Sequence, residues 1–399
     1  MPQIGRELNV GYVLESSVRE FGGRVRVSTQ LVRASDAGHV WTGEYDRDLK
    51  DVLQLQQEVA AAIAQEIKLN LSPEASARRG NVHEVNPEAY RQYLLGRYYW
   101  NKRTPAGMMK SVEYYRQAIQ HDPNFALAYA GLADSLLFDG DPEIIAQAKE
   151  AAHKAIDLDP TLGEPHASLA FIALMRDWDF QLSEREFRRA LELNPNYPTA
   201  HHWFAFYFGI MGRLQEAIRE VDRALELDPL SPVIRSALAD GLSQAGQQDK
   251  ALEEIQKVLE MDPGFGKGHL TRASIYERKG MFPEAIEELK KSRELGVSDG
   301  EVLPDLAYVR ALAGDRAEAE KTIHDFERRA KLANQPPPAG EIAMIYVALG
   351  DRDQAFAWLE KAREQRSEEV LGLKSDPAFD PLRSDPRFQE LVRRVGLPL

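Results

Sequence analysis

The chain has 399 residues, of which 43% are hydrophobic and 28% charged, so it can bury cores of ordinary domain size. Its 50 Lys and Arg residues stand against 63 Asp and Glu residues, and the resulting net charge of −13 has the wrong sign for a surface that binds nucleic-acid phosphates directly. The absence of cysteine excludes disulfide bonds, thiolate metal sites and cysteine nucleophiles.

Residues 1–75 predict a small α/β domain. Apolar and polar residues alternate in 12–19, 24–33 and 40–45, which indicates three antiparallel strands joined by tight turns. A helical period over about 51–69 predicts one helix after them. Because a three-stranded sheet can leave an edge open, a homodimer through this N-terminal sheet is one expected assembly.

Regular spacing of prolines and glycines follows in the rest of the chain. Five prolines that each follow Asp or Asn are separated by 37, 35, 34 and 34 residues: Pro123, Pro160, Pro195, Pro229 and Pro263. Glycines recur at Gly212, Gly246, Gly280, Gly314 and Gly350, each followed five positions later by an alanine. This spacing predicts pairs of amphipathic helices, with glycine at a positive φ in each turn and a small side chain where the two helices approach.

This pattern resembles the tetratricopeptide repeat family, as in Leu95-Gly96, Tyr99, Tyr115, Ala118 and Pro123 of the first unit. The resemblance implies a mostly α fold, a superhelical solenoid of about eight helix-turn-helix repeats over 84–365. Residues 366–399 are then a capping segment, with a last helix that begins at Asp385-Pro386.

The N-terminal segment carries a second resemblance. Its matching residues are Ile4-Gly-Arg-Glu-Leu8, Tyr12-Val-Leu-Glu15, Ser17-Val-Arg19, Arg24-Val-Arg-Val27, Trp41 and Tyr45-Asp-Arg-Asp-Leu49. They resemble the C-terminal half of the TolB-like domain that precedes tetratricopeptide arrays in CadC-type bacterial regulators and in some nucleotide cyclases. The resemblance implies a sensor or scaffold module of a bacterial signalling or transcription-regulatory system.

The candidate site is the concave surface, which in the tetratricopeptide family is lined by the first helix of each unit. A protein or peptide partner is expected to bind residues at the corresponding positions, which are Tyr93, Arg97, Trp100, Leu127, Asp134, Leu137, Phe171, Leu174, His202 and Phe206. Exposed aromatic side chains with an arginine are typical of interface anchors. The Lys and Asn set with which co-chaperone members grip a terminal carboxylate is not present, which disfavours chaperone tails as partners.

Catalytic and metal-binding hypotheses find little support. The glycine-rich run 264–268 lacks a preceding strand and directly follows Pro263, so we interpret it as an inter-repeat turn rather than a phosphate loop. His201 and His202 lie about 100° apart on a helix and cannot both face one metal ion. No catalytic motif is recognisable, so no enzyme activity, cofactor or metal is expected.

Two further expectations complete the sequence-based interpretation. The first residues lack the basic and apolar regions of an export signal, and no apolar run approaches 18 residues, so a cytoplasmic location without a membrane span is expected. An alternative function also stays open. In that case the chain is a small-molecule sensor with a ligand pocket between the α/β domain and the first repeats.

Overall fold

The computed structural model describes residues 11–48 and 85–398, with isolated positions between 51 and 63. The chain opens with a three-stranded antiparallel sheet in the order β1-β2-β3. Its strands are β1 (Tyr12–Phe21), β2 (Arg24–Arg33) and β3 (His39–Asp48). This confirms the predicted sheet, whereas the predicted helix over 51–69 lies largely outside the described residues.

Within residues 85–398 the helices form eight consecutive pairs, as the repeat spacing predicts. They are α1 (Pro87–Asn101) with α2 (Pro105–His121), α3 (Ala126–Leu136) with α4 (Pro142–Leu158), α5 (Glu164–Ile172) with α6 (Phe180–Leu193), α7 (Pro198–Ile210) with α8 (Leu214–Leu227), α9 (Pro232–Gln244) with α10 (Gln248–Met261), α11 (Gly266–Arg278) with α12 (Phe282–Glu294), α13 (Asp299–Leu312) with α14 (Arg316–Ala333), and α15 (Ala339–Leu349) with α16 (Arg352–Gln365). Two 3₁₀ turns (Glu368–Leu373 and Pro377–Leu382) and α17 (Pro386–Val395) follow. The predicted fold class, mostly α with a small sheet in front, is confirmed.

The turn between the two helices of a unit is set by glycine in units four to eight. Gly212, Gly246, Gly280, Gly314 and Gly350 have φ between +71° and +88°, a conformation that glycine adopts without the steric cost of a Cβ atom. The alanines five positions later are buried between the helices. At the end of the chain the Asp385 carboxylate accepts the amide N–H of Arg387 and caps α17, as predicted.

The third unit departs from this pattern. α5 runs on into a π-helical turn at Ala173–Asp177, and Trp178 follows at φ +57° where later units have glycine. A bulky side chain in the left-handed region is strained, and π turns concentrate at functional places in proteins. The sequence lacks a glycine here but did not predict the π turn.

The chain divides into two compact bodies, an N-terminal body of residues 1–169 and a C-terminal body of residues 170–399. The N-terminal body contains the sheet and helices α1 to α4, the boundary falls within α5, and the C-terminal body contains the remaining helices. No helix of the described residues is both long and apolar enough to cross a bilayer. The predicted domain limits at residues 75, 84 and 365 stay predictions.

Candidate functional site

In the N-terminal body the structure separates buried from accessible residues among the predicted groove positions. Tyr93 and Leu127 are half-buried and Arg97 is exposed. The other three predicted residues, Trp100, Asp134 and Leu137, are buried. The accessible part of the predicted site in the N-terminal body is therefore Tyr93, Arg97 and Leu127. The buried members stabilise the packing of the first two repeats.

Tyr93 belongs to an aromatic cluster between α1, α2 and α3. Its ring centroid lies 5.2 Å from that of Phe125 and 5.9 Å from that of Tyr115. Burial raises the pKa of Tyr93, and the Arg97 guanidinium, which is hydrogen bonded to its hydroxyl, opposes this shift. The cluster fixes the Tyr93 ring, and the Tyr93 hydroxyl contacts the exposed Arg97 side chain.

Trp100 and Asp134 join the first three units by hydrogen bonds. The Trp100 Nε1–H donates to the Asp134 carbonyl oxygen at 3.2 Å, and the Ser168 hydroxyl donates to the Asp134 carboxylate at 2.5 Å. The Arg103 guanidinium lies 3.4 Å from the centre of the Trp100 ring. An alanine at position 100 would therefore disturb the fold as well as any surface.

A basic segment distinguishes the hairpin of α1 and α2, which we call the basic hairpin. Between Ala89 and Val112 the chain has no Asp or Glu and five cationic residues, Arg91, Arg97, Lys102, Arg103 and Lys110. The run is thus net positive in a chain whose net charge is −13. A locally positive surface on an acidic protein attracts an acidic partner over several ångströms.

Tyrosine rings and ammonium groups lie close together on this hairpin. The Tyr99 and Tyr114 rings stack with centroids 5.3 Å apart and an interplanar angle of 8°, and the Lys110 ammonium lies 5.0 Å from the Tyr99 centroid. The Lys102 ammonium lies 4.6 Å from the ring centroid of Tyr98, which is 55% exposed. Within the described part of the chain neither ammonium group contacts a carboxylate. Both charges are thus available to an acidic ligand.

The other four predicted groove residues lie in the C-terminal body. Phe171, Leu174 and His202 are buried, and Phe206 is 44% exposed. Phe171 packs against Trp203 at 4.9 Å between ring centroids, and the His202 ring lies 5.2 Å from that of Phe206. Phe206 is thus the accessible member of this group.

The chain's own C-terminal segment, residues 366–383, lies against the first helices of repeats in the C-terminal body. Arg366 donates to the carbonyl oxygens of Arg176 and Asp177, each at 2.9 Å, at the end of the π turn. Further along the segment Glu368 pairs with Arg176 at 3.1 Å.

The segment also reaches the sixth unit. Asp376 pairs with Arg278 at the end of α11, at 3.4 Å. The segment thereby bridges the third and sixth units, and its apolar residues Val370, Leu373, Phe379 and Leu382 are buried.

An acidic cavity of about 810 Å³ remains between the C-terminal segment and the first helices of units five to eight. Its wall includes Glu277, Asp305, Glu341, Glu369 and Asp376, with Arg278 as the cation among them. Burial raises the pKa of Glu277 to about 7, against the opposing effect of Arg278. Burial, reinforced by Glu341, also raises the pKa of Glu369.

A smaller cavity of about 280 Å³ is lined by His202 and Phe206 of α7 and by Leu371 of the C-terminal segment. The described residues contain no group of three His, Asp or Glu side chains arranged to hold a metal ion. Both cavities belong to the C-terminal body, whereas the ligand pocket of the alternative hypothesis would lie in the N-terminal body. That hypothesis stays a prediction.

Sequence reasoning missed one contact that recurs in units four to six. A basic side chain six residues after the closing proline bonds both the carbonyl of that proline and a glutamate 19 residues further on. The three sets are His201 with Pro195 and Glu220, Arg235 with Pro229 and Glu254, and His269 with Pro263 and Glu288. The 34-residue spacing of these residues was visible in the sequence and could have revealed the contact.

Comparisons with known proteins bear on the repeats. Residues 340–365 match the family model of the tetratricopeptide repeat. This supports the predicted repeat array. A putative adenylate cyclase from Rhizobium meliloti (strain 1021) is 31% identical over 191 residues, 46% of this chain and 32% of that protein. The human protein O-mannosyl-transferase TMTC3 is 35% identical over 88 residues, 22% of this chain and 9% of that protein.

The chain therefore spans about a third or less of the length of these curated relatives. Among solved structures, yeast Tom70 has a TM-score of 0.43 at 20% identity, over 79% of this chain and 69% of that chain. PilW, a type IV pilus biogenesis factor, has a TM-score of 0.41 at 19% identity, over 56% of this chain and 99% of that chain.

Proposed function

We propose that this chain is a non-catalytic protein-interaction scaffold whose partner site lies on the basic hairpin. The observation that carries the proposal is the pair of exposed ammonium groups over the Tyr98 and Tyr99 rings, on a run without acidic residues in a chain of net charge −13. Tyr98 is exposed and Tyr99 is half-buried. Tyr and Arg are enriched at interfaces because they combine apolar area with hydrogen-bonding groups. The partner this surface fits is an acidic protein segment that also carries apolar side chains.

The C-terminal segment supports placing the partner site in the first repeats, because it covers the corresponding surface of the C-terminal body. A peptide lying along the first helices of units five to eight would have to share that surface with Asp376, Pro377 and Pro381 of the C-terminal segment. Since Val370, Leu373 and Phe379 of that segment are buried, moving it aside would expose much apolar surface. The accessible predicted residues Tyr93, Arg97 and Leu127 lie in the N-terminal body.

The wider context we propose is a bacterial signalling or transcription-regulatory system in the cytoplasm. Two observations support it, the resemblance of the N-terminal residues to a TolB-like domain and the similarity to part of a putative adenylate cyclase from Rhizobium meliloti. In this proposal the chain supplies binding, and any catalytic or DNA-binding output lies on another domain or protein.

The test is affinity capture with charge-reversed surfaces. We expect the variant Arg97→Glu/Lys102→Glu/Lys110→Glu to lose its specific partners by about tenfold or more, because like charges at an interface repel. A matched triple change of exposed lysines in the C-terminal body, Lys250→Glu/Lys257→Glu/Lys290→Glu, should keep these partners. Circular dichroism checks that both variants retain the helicity of the wild type.

The partners lost in the first variant should be acidic, and their capture should weaken as salt is raised. Equal losses in both variants would show a general charge effect and contradict the assignment to the basic hairpin. Unchanged capture by the first variant would contradict it as well.

A further inference from the structure

β1 is an edge strand of unusual exposure. It runs for ten residues, and in the described part of the chain its outer edge has no neighbouring strand. Leu14 is 43% exposed and Val18 is 66% exposed. Long exposed edge strands with apolar side chains are templates for pairing with another chain.

The hairpin turn determines which backbone groups of β1 face outward. Gly22 and Gly23, at φ +56° and +78°, form a two-residue loop between Phe21 and Arg24, which are paired in register. The pair that flanks such a loop exchanges both backbone hydrogen bonds, and bonded positions then alternate along the strand. Odd-numbered residues of β1 therefore bond β2, and even-numbered residues from Tyr12 to Glu20 direct their N–H and C=O groups to the free edge.

This alternation selects one register for a symmetric pair of β1 strands. With Ser16 opposite Ser16 of a second copy, all five outward-facing positions find partners, since Leu14 then lies opposite Val18 and Tyr12 opposite Glu20. A shift that centres the pair on Ser17 leaves Tyr12 unpaired and places Leu14 opposite Glu20. The first register covers the two exposed aliphatic side chains with each other.

Charge complementarity favours the same arrangement. On the other face of the strand, Glu15 lies opposite Ser17 of the second copy and diagonal to its Arg19, within reach of long side chains. The opposite edge of the sheet is less suited to self-pairing, because Glu44, Asp46 and Asp48 share one face of β3, whereas Arg47 lies on the other face. Asp46 and Asp48 are already paired with Arg24 of β2.

We propose that this chain forms a twofold-symmetric dimer in which two β1 strands pair antiparallel, Ser16 against Ser16, to make a continuous six-stranded sheet. The dimer is independent of the partner site on the basic hairpin. Either proposal can therefore fail without the other.

The cysteine-free sequence permits a direct test of the register. Under mild oxidation we expect Ser16→Cys to give a disulfide-linked dimer, because Cα atoms in directly opposite positions are about 5.5 Å apart. The matched control Ser17→Cys should stay unlinked, because the two thiol-bearing residues would be about 8 Å apart, beyond the disulfide limit. Equal linkage of the two variants, or preferential linkage of Ser17→Cys, would overturn the register.

Solution mass tests the dimer itself. Over a dilution series in the analytical ultracentrifuge we expect the wild type to dimerise, and Val18→Lys to be monomeric with unchanged helicity, because a lysine on each edge opposes pairing. The control Thr42→Lys on β3 should dimerise as the wild type does. A wild-type chain that stays monomeric, or loss of the dimer in both variants, would overturn the proposal.

Discussion

Glu277 illustrates how much one residue's environment can set a property of the folded chain. It lies on α11 in the acidic cavity, where burial raises its pKa to about 7, with Arg278 opposing and Asp376 adding to the shift. A carboxyl with a raised pKa in the folded state stabilises that state only while it is protonated. Its contribution is fully present below its ordinary pKa of 4.5 and is lost as the pH rises through about 7.

We therefore expect Glu277→Gln to raise the free energy of unfolding at about pH 8 by about 1–2 kcal/mol, allowing for solvent screening of a half-buried group, and to change it little near pH 5. Glutamine keeps the shape of the side chain but does not ionise. Urea unfolding across this pH range measures the difference, with Glu287→Gln on the exposed face of α12 as control. Parallel pH profiles of the wild type and Glu277→Gln would contradict this reasoning.

Residue contacts differ in how visible they are in the sequence. The bonds of His201, Arg235 and His269 follow the repeat period, so three aligned units suffice to find them. The neighbours of Glu277 in the acidic cavity include Asp376, about a hundred residues further along the chain. That proximity depends on how the C-terminal segment folds back, which has no local sequence pattern.

At the scale of secondary-structure elements, the close approach of α1, α2 and α3 depends on Tyr115. Its ring is buried between Gly96 and Gly131, and a Cβ atom added at Gly131 would come 2.4 Å from the ring. At Gly96 the corresponding distance is 2.7 Å. The two glycines therefore let three helices close around one aromatic ring.

Gly131→Ala should lower the free energy of unfolding by about 1–2 kcal/mol, because the overpacking cost exceeds the gain in helix propensity of about 1 kcal/mol. Gly209→Ala, within α7, is the matched control, since no atom lies within 4 Å of the added methyl group. Thermal or urea unfolding of the two variants provides the comparison. If Gly131→Ala proved as stable as the control, the packing account of this glycine would be wrong.

The helices and their turns follow from the sequence because the period of 34 residues fixes both at once. The glycines at positive φ and the buried alanines were predictable on this basis. The start of α17 at Pro386 was predictable from the Asp-Pro pair that caps it. The π turn at Ala173–Asp177 was not, because it replaces the glycine turn by a contact with remote Arg366. For the predicted site, the repeat positions selected Tyr93 and Arg97, which are accessible, but helical spacing alone could not show that Leu137 and Leu174 are buried.

At the scale of the whole molecule, the C-terminal segment adds contacts between repeats of the C-terminal body that are not neighbours in the chain. Repeats in a solenoid ordinarily contact only their neighbours, so stability is a sum of local terms. Here the Arg366 guanidinium bonds the carbonyl of Arg176, 190 residues earlier, and Arg278 pairs with Asp376. Units three to eight are thereby linked into one closed set of contacts.

Arg366→Ala should weaken this linkage by about 1–2 kcal/mol, since two backbone carbonyls lose their donor. Alanine retains the strain of a side chain at the positive φ of +54°, so the change reports on the guanidinium. Hydrogen exchange should accelerate in 366–383 and in the π turn, and the urea transition should broaden. The control Arg363→Ala removes an arginine that pairs within α16, with Glu360. Unchanged exchange in the C-terminal segment would contradict the linkage.

The same segment limits how such an array can evolve. Tetratricopeptide arrays can gain or lose whole units, because each unit presents the same surface to the next. Loss of a single 34-residue unit between the third and the eighth would move the chain end by about the spacing of a helix layer, roughly 10 Å, and Arg366 would no longer meet the π turn. Relatives that keep both the π turn and this arginine should therefore keep the same number of units between them, and duplications should be confined to the units before the π turn.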